Sequence, residues 1–430
     1  MNPTIAVVGA FVGATLLGMP LFVAVGLTTA LALYLIDIPV TLLAQTAFTS
    51  LQPFPLLTIP LFVLAGRLME SGGMAAHMIK IAQTLVGAYR GSMAMVTISA
   101  CALFAALSGS GPATTAAIGS VTIPEMIRQG YTKRFAAAVA ASAGALGSMI
   151  PPSNLMIIYC LVAEESIPRL FLAGFVPGIG VALLLMLTAY IISVRRGYGT
   201  TTGQKFSLRP MLAACWQGKW AIFAPVLILG GIYSGIFTPT EAAAVAVFYA
   251  LFIGLFVYRQ LTWAGIADAL RFTTLMTGIL IIIAPSLAFG QVLAFYDLPQ
   301  HVQALLDGIA ADPLWVMIII GLILIFVGTF MESLAQIILF TPVFLPAVVG
   351  MGVDPIVFGV FMVMSCEIGF LTPPLGGNLN VAARLTNISI EDVSVGVLPF
   401  ILPYVILMLV MILLPQSITF IPDLIYGARP

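Results

Sequence analysis

The sequence predicts an all-α polytopic membrane protein built of two inverted repeats, with about ten full spans plus two re-entrant helical hairpins. Composition is the first ground. Of 430 residues, 61% are hydrophobic and 7% charged, against about 25% charged in soluble domains, and the mean hydropathy is +1.15. A soluble fold is excluded. At about 20 residues per crossing the chain has room for on the order of ten to fifteen spans and for no soluble catalytic domain. The second ground is a pattern recurring at one separation. Pro124, Gly130, Gly147, Pro151 and Pro152 are matched, each 222 residues later, by Pro346, Gly352, Gly369, Pro373 and Pro374. Five Gly/Pro matches in one register predict a duplication over roughly 1–197 and 219–421, joined by the polar stretch Arg195 to Lys219. The third ground, charge placement, sets the orientation of the halves and is taken up after the elements.

The elements follow in order. Residues 3–37 form one apolar run, assigned as two spans broken at Gly18-Met19-Pro20, because the counterpart at 220–258 divides at Thr238-Pro239-Thr240. A third span covers about 54–69 and 272–296, and an amphipathic arm about 70–90 and 297–312. Each half continues with a long apolar pair bent around a polar tip and a span interrupted by Pro-Pro. A last span, about 171–194 and 394–421, closes it. The N-terminus carries no basic residue before its apolar run and reads as a first span rather than a signal peptide.

Basic flanks favour the cytoplasm. The first bent pair is bracketed by Arg90 and by Arg128, Lys133 and Arg134, the second by Asp312 and Asp354. The first hairpin is therefore expected to open to the cytoplasm and the second to the outside. Each half then has five full crossings, an odd number, which inverts the second half relative to the first. Arg195, Arg196, Lys205, Arg209, Lys219, Arg259 and Arg271 fall inside, and Asp37, Glu164, Glu165, Asp297 and Asp307 outside. Both termini come out extracytoplasmic, periplasmic in a bacterial inner membrane. Arg169 is the one dissenting charge, beside two glutamates.

Other classes are excluded by what the chain lacks. Its 16 basic and 16 acidic residues cancel, which leaves no electrostatic footprint for nucleic acid. No Gly-x-x-x-x-Gly-Lys-Ser/Thr run is present, so no ATP is hydrolysed by a P-loop. Cys101, Cys160, Cys215 and Cys366 are widely spaced in or beside apolar runs, with neither a disulfide framework nor a metal knuckle. The Gly109-Ser110-Gly111 run suggests an intramembrane serine nucleophile, but His77 and His301, the two available bases, lie outside the spans.

Non-helical backbone at membrane depth survives only where protein buries it or it lines a watery cavity. Four such breaks are expected: Ser108 to Thr115, Pro151 to Asn154, Gly328 to Ser333, and Thr372 to Asn378. Proline withholds an N–H and glycine permits the turn, so each break frees carbonyl oxygens beside hydroxyl and amide groups. Hard cations favour such surroundings. A tip facing a break in each half predicts two alkali-ion sites near the midplane, with half-helix N-termini attracting an anion. Helix kinks for packing are the alternative, weakened by the pairing of four breaks. Glu332 is the sharpest residue, an acid at a tip, with a hydrated carboxylate as its alternative. Glu125 reads as structural, and Glu241 and Glu367 stay open. Asn154 and Asn378 suit a cation or an interhelical hydrogen bond. Arg384 could meet a carboxylate or snorkel to the surface.

At these residues the chain resembles the large membrane subunit, the DctM-like group, of tripartite ATP-independent periplasmic (TRAP) transporters. The likeness covers essentially the whole chain and is strongest at Ala102 to Tyr131, Gly147 to Tyr159 and Gly369 to Asn378. It implies a sodium-driven secondary transporter of the bacterial inner membrane. That transporter takes a small organic acid, a carboxylate such as a C4-dicarboxylate, sugar acid or sialic acid, from a periplasmic substrate-binding protein and works with a small four-helix TRAP membrane subunit. The resemblance further implies an elevator-type transport domain on a scaffold, and by motif it makes Ser108, Gly109, Ser110, Pro151 and Ser153 the first sodium site. Gly328, Thr329, Glu332, Thr372, Gly376 and Asn378 would be the second. Asn154 and Asn380 depart from the usual pattern near the substrate cavity, where Thr114, Thr115 and Ser333 are also placed.

The expected division is scaffold at 1–91, hairpin and broken helix of the transport domain at 92–161, a last span at 162–197 and a cytoplasmic linker at 198–218. Scaffold resumes at 219–313, transport domain at 314–386 and a last span at 387–430. The rivals are a stand-alone Na⁺- or H⁺-coupled carboxylate carrier and, more remotely, an intramembrane hydrolase.

Overall fold

In the computed structural model, which describes residues 3–87, 91–199, 207–297, 300–301 and 312–428, every regular element among the described residues is helical. The first half runs α1 (Pro3–Leu16), α2 (Leu21–Leu35), α3 (Thr41–Ser50), α4 (Thr58–Ser71), α5 (Met74–Val86), α6 (Ser92–Ser108), α7 (Gly111–Arg128), α8 (Lys133–Gly144), α9 (Leu146–Met149), α10 (Asn154–Ala163) and α11 (Ile167–Arg196). The second runs α12 (Leu208–Gln217), α13 (Lys219–Tyr233), α14 (Pro239–Phe252), α15 (Trp263–Gly278), α16 (Ile283–Phe295), α17 (Pro313–Gly328), α18 (Ser333–Gly350), α19 (Pro355–Phe370), α20 (Gly377–Thr386), α21 (Ile390–Leu413) and α22 (Gln416–Tyr426). The register seen in the prolines returns in the helices. Gly111–Arg128 and Ser333–Gly350 match end for end at the 222 offset, and α8 and α19 start at Lys133 and Pro355.

The break between α1 and α2 falls at Gly18, φ +77°, and that between α13 and α14 precedes Pro239, whose N-cap Thr238 exchanges hydrogen bonds with Glu241 in a capping box. Glu241 is thereby an exposed cap. The second-half counterpart of the third span starts earlier than the sequence suggested. Trp263 to Phe295 is continuous through a 3₁₀ turn at Ile279–Ile282. Pro53 and Pro55 break the first-half equivalent, and Leu275 and Thr277 stand in their places.

Seven helices among the described residues are long and apolar enough to cross a membrane, and the pair α12–α13, bent by 67°, would make eight. The ten expected crossings are therefore not all full-length. The 14-residue α1, the 15-residue α2 and the 15-residue α13 reach about 21–23 Å, short of the ~30 Å hydrocarbon core. The linker expected at 198–218 contains α12, which packs on the arm α5 through Gly218 against Ile81. The last span ends at Leu413, and α22 is a separate helix. Arg90, Lys205, Asp307 and most of the second arm, 297–312, lie outside the described residues.

The core is built around the two broken helices. Every residue from 135 to 160 and from 356 to 371 is buried, as expected for helices apolar on all sides. Tyr159 donates to the Pro355 carbonyl at 2.6 Å and Tyr404 to the Ser142 carbonyl at 2.6 Å, tying the halves together. Leu183, Leu187, Phe248, Leu398 and Leu402 are exposed along α11, α14 and α21, where hydrocarbon would cover them. At one end of the bundle Arg134 pairs with Asp392, and Arg128 and Gln129 donate to Glu125.

At the other end Arg169 bridges to the C-terminal helix. It reaches Asp423 at 3.7 Å and donates to the Gly427 carbonyl, docking α22 on α11. Arg169→Ala is expected to loosen that helix at a cost of about 1 kcal/mol or less. Limited proteolysis should then cut near Gln416–Tyr426 faster than in the parent, and unchanged cleavage would show that apolar packing alone holds α22.

Candidate functional site

The first tip forms because α6 ends at Ser108 and Gly109 turns the chain at φ +62°. Ser110 is the extended N-cap of α7, and Pro112 sits in its first turn. The Ser108 hydroxyl shares a 2.5 Å hydrogen bond with Thr114. The break behind the tip withholds the N–H groups of Pro151 and Pro152 from the carbonyls of Gly147 and Ser148. The Ser153 hydroxyl makes up the second of these, donating to the Ser148 carbonyl while accepting from Met156 N–H. Tip and break are joined twice: Asn154 N–H donates to the Gly109 carbonyl at 3.2 Å and Gly111 N–H to Ser148 Oγ at 3.0 Å.

The second tip repeats the plan. Helix α17 ends at Gly328, and the Glu332 carboxylate caps α18, accepting from Leu334 N–H at 2.9 Å and Ala335 N–H at 3.3 Å. Leu375 N–H donates to the Thr329 carbonyl at 2.8 Å, the counterpart of the Asn154–Gly109 bond. Thr372 Oγ1 donates to the Ile368 carbonyl at 2.9 Å, and Asn380 Nδ2 donates to the carbonyls of Leu375 and Gly376. Both Pro-Pro bonds are cis. The first break is wholly buried, whereas Pro373, Pro374 and Leu375 are exposed.

Two glycines let the tips seat. A Cβ on Gly147 would lie 2.5 Å from the Ser110 carbonyl oxygen, and one on Gly369 would lie 2.7 Å from Gly328 Cα. These residues are one of the proline–glycine matches at offset 222, so the repeat preserves a close approach of backbones. Gly144 does the same for Thr115, whose Oγ1 would stand 1.8 Å from its Cβ.

Buried oxygens without a hydrogen-bond partner cluster here: Asn154 Oδ1, Ser333 Oγ, Gln336 Oε1 and Asn378 Oδ1. Such orphans are costly unless something satisfies them. All are hard donors, which fits an alkali cation and not a soft metal.

A cavity of about 390 Å³ lies between the tips and the helices α4 and α15. Ser108, Gly109, Ser110, Asn154, Glu332 and Ser333 line it, as do Ser148 and Glu367. Gly66 brings α4 to within 3.1 Å of Ser108 Cα, measured from where its Cβ would be. Pro151 and Ser153 sit behind the first tip, and Gly328, Thr329, Thr372 and Gly376 assemble at the second, off the cavity wall. Three residues placed in the cavity by sequence are elsewhere. Thr114 and Thr115 are buried against Gly147 and Gly144, and Asn380 braces the second break. Asn378, grouped with the second tip, instead presents its amide to the first: a Cβ on Gly111 would be 2.9 Å from Asn378 Oδ1 and 3.3 Å from Glu367 Oε2. The reason is that α20 packs across α7 and α8. Arg384 is exposed, off the cavity.

Sequence reasoning passed over Arg67, Glu70 and Phe272, which form the far wall. Arg67 Nη1 meets Glu70 Oε2 at 2.6 Å, and the guanidinium lies 4.1 Å from the Phe272 ring centroid. Their signal was available: an opposite-charge pair three residues apart inside the otherwise apolar Thr58–Ser71.

Comparison with known proteins gives this geometry a family. Residues 8–417 match the model described as "Tripartite ATP-independent periplasmic transporter, DctM component". The isethionate TRAP transporter permease protein DctMQ of Oleidesulfovibrio alaskensis is 41% identical over 99% of this chain and 67% of its own length. The C4-dicarboxylate TRAP transporter large permease protein DctM of Pseudomonas aeruginosa is 38% identical over 89% of each chain. Among solved structures, the Alcanivorax borkumensis YdaH transporter superposes with a TM-score of 0.59 at 15% identity, over 87% of this chain and 88% of that one, a likeness of fold. The chain, an integral membrane protein of helical spans with two tip-and-break junctions around one cavity, belongs to the DctM component family of tripartite ATP-independent periplasmic transporters, the large permease subunits.

Proposed function

We propose that this large permease subunit imports a small organic acid across the bacterial inner membrane, coupled to Na⁺, by an elevator movement of residues 92–161 and 314–386 against the remaining spans. The acid would arrive from a periplasmic substrate-binding protein, and a small four-helix membrane subunit would complete the complex. One observation carries the reading: two tip-and-break junctions, each bridged by a backbone-to-backbone hydrogen bond and surrounded by unpaired oxygens, flank one cavity against α4 and α15. Ser108, Gly109, Ser110, Pro151 and Ser153 would hold one ion, and Gly328, Thr329, Glu332, Thr372 and Gly376 another. Asn378 is better placed to serve the first junction than the second. Bound Na⁺ would satisfy the orphaned oxygens and make each junction more attractive to a carboxylate.

Charge supports the inverted arrangement. Arg134 and Arg196 border one pocket beside Val395, with Asp392 at the same end, whereas Arg169 and Asp423 meet at the opposite end of α11 and α21. The basic end is the cytoplasmic one, which leaves both termini periplasmic. The test is uptake into proteoliposomes containing both membrane subunits with the binding protein outside. Radiolabelled acid should accumulate under an inward Na⁺ gradient and stop when choline replaces sodium. Uptake on a proton gradient alone would remove the coupling, and uptake without binding protein would favour a stand-alone carrier.

A further inference from the structure

We propose that the pocket where α8, α11 and α21 meet binds the headgroup of an anionic phospholipid. It lies apart from the cavity between the tips and shares no lining residue with it. Helices α8 and α11 both pack on α21. Arg134 and Arg196, with Phe135, Ile192, Val395 and Pro399, line about 90 Å³ between them, where a single water needs about 10–15 Å³. Gly396 lets α21 pass close beneath the Arg134 stem, since a Cβ there would lie 3.0 Å from Arg134 Cγ.

Charge selects the headgroup. Arg134 donates from Nη2 to Asp392, and Arg196 makes no ion pair among the described residues. Each guanidinium carries five N–H donors, so both keep donors for phosphate oxygens. Lys133 and Arg195 adjoin them in the chain, against the acids Glu391 and Asp392. The fold also holds Arg196 in place. Two residues on, the Tyr198 hydroxyl shares a 3.1 Å hydrogen bond with Thr132, and its ring centroid lies 5.2 Å from that of Phe135, which pins the end of α11 to the start of α8.

The apolar surroundings decide between a lipid and a free anion. Val395, a wall of the pocket, is 54% exposed and begins a stripe that Leu398 and Leu402 continue along α21. Spacings of three and four residues keep that stripe on one helix face. Inorganic phosphate would leave it bare, whereas an acyl chain hanging from the headgroup covers it. A zwitterionic headgroup would bring an ammonium towards two guanidinium groups. Basic pockets between spans suit anionic headgroups for these reasons.

The test is native mass spectrometry of the purified full-length chain in detergent, titrated with phosphatidylglycerol, with phosphatidylcholine of the same acyl chains and with inorganic phosphate. Phosphatidylglycerol should bind about tenfold more tightly than phosphatidylcholine, a difference of about 1.4 kcal/mol. Arg196→Gln should weaken it about fivefold, roughly 1 kcal/mol. Arg195→Gln removes the same charge one residue away, off the pocket wall, and should leave the affinity unchanged. Asp392→Asn, which frees the Arg134 fork, should tighten binding, and the neighbouring Glu391→Gln should not. Equal binding of the two lipids, equal losses in the Arg195 and Arg196 variants, or inorganic phosphate binding as tightly as the lipid would overturn the proposal. Should Arg196→Gln fail to purify, the Asp392 and Glu391 variants decide, because equal effects there mean a diffuse basic surface and no built site.

Discussion

Gly147→Ala and Gly369→Ala are each expected to bring sodium-driven uptake close to background while the chain still inserts and purifies. The added methyl has nowhere to go. At Gly369 it would meet Gly328 Cα at 2.7 Å, the Ile325 carbonyl oxygen at 2.8 Å and the Gly328 carbonyl carbon at 2.9 Å, all backbone atoms. At Gly147 it would meet the Ser110 carbonyl oxygen at 2.5 Å and Thr114 Oγ1 at 2.3 Å. A side chain can rotate away, but a hairpin tip must retreat. Overpacking of this kind costs about 1–3 kcal/mol. Spent on tip-to-break closure, that lowers the population of the closed junction by roughly 5–150-fold. The loss should come with a rightward shift in the sodium dependence, since the oxygens proposed to hold the cation are assembled by the same closure. Gly230→Ala is the matched control, a helical position with nothing within 4 Å of its Cβ, and its uptake should be unchanged. Wild-type uptake in both junction variants would show that the tips do not need this approach.

Much of this geometry was legible from glycine and proline alone, because those residues report on the backbone, and the backbone is what the repeat conserves. The offset of 222 located α7 against α18 and both breaks before any contact was known. What remained hidden depends on helices crossing. The resemblance groups Asn378 with the second tip, yet α20 lies over α7 and α8 and carries the amide to Gly111. The resemblance places Thr114 and Thr115 at the substrate cavity. One helical turn further on, however, a hydroxyl faces α8 and α9, where Gly144 and Gly147 make room for it. The cavity's second wall was missed for a different reason. It belongs to α4 and α15, which have no break and no proline signature at the site. Span lengths escaped as well, since a continuous apolar run such as 3–37 shows where helices end only at Gly18-Met19-Pro20, not how far each reaches across the membrane.

Glu332 should separate capping from cation attraction. Its carboxylate accepts from Leu334 N–H and Ala335 N–H, so it satisfies two of the first N–H groups of α18 and faces the positive end of that helix. Alanine removes both roles. Loss of a cap costs about 1 kcal/mol, and a charged acceptor raises that to about 1.5–3, which is enough to unseat the second tip. Glu332→Ala is therefore expected to cut uptake by about tenfold or more. Glutamine keeps an acceptor oxygen on the same stem and drops the charge. Glu332→Gln should retain the fold and the maximal rate while raising the sodium concentration for half-maximal uptake several-fold, because the negative side chain that draws a cation into the tip has gone. Sodium titration of uptake, with binding protein and acid saturating, reads the difference directly. If the glutamine variant matches the wild type across the titration, the carboxylate is a helix cap and no more, and Glu332 drops out of the proposed second ion site.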